Sequence, residues 1–70
     1  MNETTTRQLI AETAESAGSS AEADWDSLVH ISVLIALNNA FAGRIADVPK
    51  VQEARNLEAM LSILKEAKLI

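Results

Sequence analysis

Apolar residues recur along this chain at helical spacing, and β-branched residues never alternate cleanly enough to suggest strands. Leu9 and Ile10, with alanines at 11, 14 and 17, predict a first helix over about 4–17 with a thin apolar face and Gly18 as its stop. A polar loop over 18–26 follows, interrupted by Trp25. Leu28, Ile31, Leu34, Ile35, Leu37 and Phe41 then form a wide apolar stripe, which predicts a second helix over about 27–42 that buries those side chains. Asp26 and Ser27 can each cap its start. Asp47-Val48-Pro49 predicts a short third helix over about 48–54, with proline in the first turn, where its missing N–H costs little. Asn56 caps a last helix over about 56–67, whose buried face is Leu57, Met60, Leu61 and Leu64.

These elements make an all-α fold, a small bundle of three main helices plus one short one, in a single domain over 1–70. Seventy residues lie near the lower limit for a core without staples. With no cysteine and one histidine, the sequence excludes a disulfide framework, a thiolate metal site and a multi-histidine site within one chain. A net charge of −4 argues against a nucleic-acid partner. The absence of a long apolar run and of a basic, apolar start argues against a membrane and for a cytoplasmic protein, expected to be a monomer. Charge is uneven: six carboxylates, including Asp24 and Asp26, face Arg7 alone in residues 1–26, whereas residues 43–70 are nearly balanced.

The candidate chemistry lies at the head of the second helix. A serine at that place sits where backbone N–H groups and the helix dipole favour a bound phosphate. Asp26-Ser27-Leu28 is followed by a helix in which Ala36, Leu37 and Phe41 fall nine, ten and fourteen positions after the serine. In this register the segment from Asp24 to the C-terminus resembles the acyl carrier proteins. The resemblance implies that the Ser27 hydroxyl carries 4'-phosphopantetheine through a phosphodiester, placed there from coenzyme A by a phosphopantetheinyl transferase. It also implies that Asp26 helps position the serine and the metal ion for that enzyme, with Leu28 completing the motif. The arm's thiol then holds an acyl group as a thioester, loaded by a ligase or acyltransferase. The chain itself is no enzyme in this reading.

Two departures from the family pattern stand out. The first loop is short, and Trp25 occupies the position before Asp26 where carriers have glycine, so Trp25 is expected as a core plug. The second helix shows His30, Ser32, Asn38 and Asn39 where carriers often place glutamates. Its surface must then be read by hydrogen bonds and apolar contact, with Asp24 recognised by the transferase and Val29, Ser32 and Ile35 by a dedicated loading enzyme. His30, three residues after Ser27, is expected to be exposed and without a role, against a contact with the arm's phosphate. Ser27 and Asp26 also have a simpler reading as helix caps. An aminoacyl or peptidyl carrier and an unmodified helical interaction module are the alternatives. A small serine hydrolase fails on size and on the missing base and orienting group.

Overall fold

The computed structural model describes residues 2–19 and 24–70. Within them the chain is all-α: α1 (Glu3–Ser16), α2 (Ser27–Ala40) and α3 (Leu57–Glu66), with two consecutive 3₁₀ turns, Arg44–Asp47 and Pro49–Glu53, between α2 and α3. The loop expected over 18–26 includes residues 20–23, which lie outside the described residues. The short third helix expected over 48–54 is instead the second 3₁₀ turn, preceded by another that begins directly after Gly43.

Each α-helix starts on a side-chain cap. Asn2 Oδ1 accepts from the Thr5 N–H at 2.8 Å, Asp26 Oδ1 from Val29 at 2.9 Å, and Asn56 Oδ1 from Ala59 at 2.8 Å. Each also ends in the same two-bond turn. Gly18 and Ser19 donate back to the carbonyls of Glu15 and Ala14, Ala42 and Gly43 to Asn39 and Asn38, Lys68 and Leu69 to Lys65 and Leu64. The first residue of each pair is left-handed, with φ of 93° at Gly18, 55° at Ala42 and 62° at Lys68. Only the first of these is the glycine that tolerates such a conformation freely.

The core is drawn from every element. Ile10 and Ala14 of α1, Val33 and Leu37 of α2, and Met60 and Leu64 of α3 are all within 1 % of full burial. Thr6 is buried beside them, its hydroxyl donating to the Asn2 carbonyl at 2.7 Å. At the rim, Arg7 bridges Glu3 and Glu58, and Lys65 reaches Glu3, tying α1 to α3. The hydrogen bond from Lys65, aided by Arg7, holds the Glu3 carboxyl below its ordinary value. These groups stand in solvent, where such pairs add little to stability.

The face that α2 buries differs from the expected stripe. Val29, His30, Val33, Leu37 and the cap Phe41 point inward, and Leu34 is half-buried. Leu28, Ile31 and Ile35, assigned to the core from their spacing, are 66 %, 53 % and 59 % exposed. The reason is that α2 is apolar nearly all round, so its periodicity does not select a face. Trp25 is buried as expected, at 4 % exposure, and its backbone N–H donates to the Arg55 carbonyl at 2.6 Å.

Ala42→Gly and Lys68→Gly should each raise stability by about 0.5–1 kcal/mol, since each removes a side chain from a left-handed position, partly offset by the freer unfolded chain. Urea unfolding, read as a higher midpoint at unchanged slope, checks this. Trp25→Ala should lower stability by about 3–5 kcal/mol. Trp25→Phe should cost clearly less, because it keeps a ring and removes an indole N–H that is buried without a partner among the described residues.

Candidate functional site

The head of α2 is built on a division between two neighbouring residues. Asp26 has extended backbone, with φ −80° and ψ 179°, and its carboxylate caps the N–H of Val29. Ser27 is the first helical residue; it is exposed, and its hydroxyl makes no hydrogen bond among the described residues. The capping role that sequence reading left open between them therefore falls to Asp26. Ser27 keeps a free Oγ at the positive end of a 14-residue helix dipole. Such a position, exposed to solvent, favours a negatively charged substituent.

Beneath this head lies a small hub. Trp25 packs beside His30, with ring centroids 6.2 Å apart and planes inclined at 32°. His30 is only 6 % exposed, and its Nε2 lies 2.9 Å from the Val51 carbonyl oxygen. A carbonyl can only accept, so Nε2 carries the proton and donates. The expectation of an exposed His30, and with it the alternative contact to an arm's phosphate, is corrected here. Its Nε2 proton is satisfied inside, and the imidazole anchors the second 3₁₀ turn to α2. A histidine on a nearly uncharged helix reads as a surface residue unless its carbonyl partner, 21 positions away, is known.

The other residues expected at the site separate into four groups. Leu28 and Ile35 are exposed on α2, in line with Ile31 between them. Val29, expected to meet a partner, is buried at 2 % exposure and belongs to the core, one turn before Val33 on the same side of the helix. Ser32 is half-buried, and its hydroxyl donates to the Leu28 carbonyl at 2.9 Å, so its proton is spent within the helix. Asp24 is exposed in the loop before α2 and accepts from Asn56 Nδ2 at 3.5 Å. Asp24 and Asp26 thus set two carboxylates beside Ser27.

Sequence reading missed two features of this surface. One is Ile31 as an outward-facing residue. The other is a cleft of about 390 Å³ between α2 and the 3₁₀ turns, lined by Leu34, Ile35, Asn38, Ile45, Pro49 and Val51 among others. The cleft arises because the second 3₁₀ turn, unlike a full helix, does not cover the outer edge of α2. A second open depression, of about 530 Å³, lies between α1 and α2 where Ala36 and Ala40 face Leu9. Among the described residues no three acidic or histidine side chains gather as a metal site, and no helix is long and apolar enough to cross a membrane. Comparison with family models, with curated proteins and with solved structures yields no match.

His30→Ala should destabilise the fold by about 2–4 kcal/mol, through the cavity and the lost bond to a buried carbonyl. His30→Gln, whose amide can donate to the same oxygen, should recover part of that loss. Amide exchange should locate the change: protection at Val51 and Ala54 falls more in His30→Ala than protection in α1.

Proposed function

We propose that this chain is a carrier protein whose Ser27 is a site of 4'-phosphopantetheine attachment. The observation that supports the reading best is the free, exposed Ser27 Oγ beside an Asp26 that has taken over the capping role. A serine kept only as a cap would spend its oxygen on the backbone N–H groups of the first turn. In this arrangement the hydroxyl remains available as a nucleophile for another enzyme. The register of Asp26-Ser27-Leu28 with Ala36, Leu37 and Phe41, similar to that of acyl carrier proteins, supplies the identity of the substituent.

The residues present fit the group. Ser27 Oγ forms the phosphodiester by attacking the phosphorus of coenzyme A that bears the pantetheine. The bond from that phosphorus to the nucleotide part breaks, and the hydroxyl proton passes to the transferase. The N-terminal N–H groups of α2 and its dipole favour the resulting negative charge. Asp26 and Asp24 offer carboxylates to the transferase and its Mg²⁺. When bound, the arm supplies a thiol that holds an acyl group as a thioester, and the chain has no cysteine to compete with it. Choice of an acyl or an aminoacyl cargo lies with the loading ligase or acyltransferase. The second reading, an unmodified helical interaction module, draws support from the outward Leu28, Ile31 and Ile35.

Incubation with coenzyme A, Mg²⁺ and a broad-specificity phosphopantetheinyl transferase should add one phosphopantetheine to the intact chain by mass spectrometry. Ser27→Ala should remove the gain while leaving the melting temperature within a few degrees. A thiol reagent should label nothing before the reaction and one group after it. No gain with several transferases would leave the interaction module as the surviving reading.

A further inference from the structure

The segment that leads into α2 and the segment that leads into α3 lie side by side. Both are extended, with φ and ψ of −80° and 179° at Asp26, −75° and 123° at Ala54, and −154° and 171° at Asn56. They are joined twice: the Trp25 backbone N–H donates to the Arg55 carbonyl at 2.6 Å, and Asn56 Nδ2 donates to Asp24 Oδ1 at 3.5 Å. Side chains alternate along extended backbone. Trp25 on one segment and Ala54 on the other turn inward, at 4 % and 1 % exposure. Asp24, Asp26 and Arg55 are all exposed, on the outer side of this joint, and Ser27 follows next in the chain. Ser27 is two residues, at most about 7 Å of chain, from the N–H that the Arg55 carbonyl holds.

Arg55 is also a cation that nothing neutralises: among the described residues it makes no ion pair, not even with Asp24 or Asp26. The other cations stand elsewhere or are engaged. Arg7 and Lys65 are held by Glu3 and Glu58. Arg44 follows the far end of α2, roughly 21 Å of helix away, and Lys68 follows the far end of α3. Lys50 precedes Val51, whose carbonyl meets His30, which places its backbone beside α2 about a turn below Ser27. Arg55 alone lies on the segment joined to the chain that enters Ser27.

Resting on the carrier reading, we infer that the Arg55 guanidinium holds the phosphodiester of the arm on Ser27. Attachment adds a negative charge beside Asp24 and Asp26, all within about one Debye length (~10 Å at 0.1 M salt). Those like charges repel, and a free cation on the same outer side offsets the repulsion. Arginine suits the task, since its planar fork of donors matches two phosphate oxygens at once and keeps its charge throughout the physiological range. The joint fixes the backbone from which the side chain starts, so only the side chain has to be ordered. The contact directs the first bonds of the arm toward the start of α3 rather than along α2.

The test compares the unmodified chain with the chain phosphopantetheinylated from coenzyme A and Mg²⁺ by an excess of a broad-specificity transferase. In the isotope-labelled wild type, the Arg55 Nε–Hε resonance should move on modification, while those of Arg7 and Arg44 stay in place. Arg55→Gln should shift the phosphorus resonance of the phosphodiester, Lys50→Gln and Arg44→Gln should leave it at the wild-type position, and Arg55→Lys should fall between. At low salt, modification should lower the melting temperature of Arg55→Gln by about 2–4 °C more than that of the wild type, and added salt should close the gap. Unmodified Arg55→Gln should melt with the unmodified wild type, since the side chain is outside the core and the carbonyl that Trp25 uses is retained. An unmoved Arg55 resonance in the modified wild type, or equal phosphorus shifts in Lys50→Gln and Arg55→Gln, would overturn the contact and leave attachment at Ser27 intact. A wild-type chain that no transferase modifies would instead remove the carrier reading, and this contact with it.

Discussion

The arrangement of the whole domain depends on how the head of α2 is anchored to the 3₁₀ turns. Two contacts make that anchor: the His30 Nε2 on the Val51 carbonyl and, just past the second turn, the Trp25 backbone N–H on the Arg55 carbonyl, with the two rings side by side. The Val51 oxygen also accepts from the Ala54 N–H at 3.3 Å, so both of its lone pairs are used. A 3₁₀ turn has poorer internal hydrogen bonds than an α-helix and rarely persists unaided. Here a buried side chain from another element holds it in place. The same contacts orient α2 about its axis.

That orientation decides what α2 offers to solvent. Once His30 faces Val51, the positions about a turn apart on the same side, Val33, Leu37 and Phe41, follow it into the core. Leu28, Ile31 and Ile35 are then carried outward regardless of their hydrophobicity. Each forgoes part of the roughly 1.5–3 kcal/mol that full burial of an aliphatic side chain yields. In a domain whose whole stability is of order 5–15 kcal/mol, that is a considerable sacrifice. Rotating α2 to bury them would expel Val33 and Leu37 and leave His30 without its carbonyl, so no single rotation buries every apolar residue of this helix.

The sequence was most legible where local chemistry is strong. Asn56 as a cap, Gly18 as a stop, Trp25 as a buried plug and the face Leu57, Met60, Leu61 and Leu64 all stand as read, because each follows from a cap, a left-handed residue, a large ring or an unambiguous period. It was least legible on α2, where an apolar surface all round left polarity as the guide to the outer face. Polarity misplaced His30, whose partner lies 21 residues on, and with it Val29, Leu28, Ile31 and Ile35. The turn at Arg44–Asp47 was also invisible, since Ala42 enters a left-handed conformation without the glycine that would announce it. At the head of α2 the sequence offered both Asp26 and Ser27 as caps, and the structure gives the cap to Asp26.

That allocation connects stability with function. A helix start needs partners for its orphan N–H groups, and here the Asp26 carboxylate supplies one of them, to Val29. With aspartate in that role, the next residue is relieved of it, and substitution or modification of Ser27 leaves the cap undisturbed. The buried pair Trp25 and His30 lies just beneath, so the helix end that carries Ser27 is tied to the core. A group attached there, as the carrier proposal has it, would stand next to Leu28, Ile31 and Ile35, the large aliphatic side chains exposed among the described residues. Under the carrier proposal the domain would contribute position: the core holds the helix, and the Asp26 cap leaves the Ser27 hydroxyl free of that task.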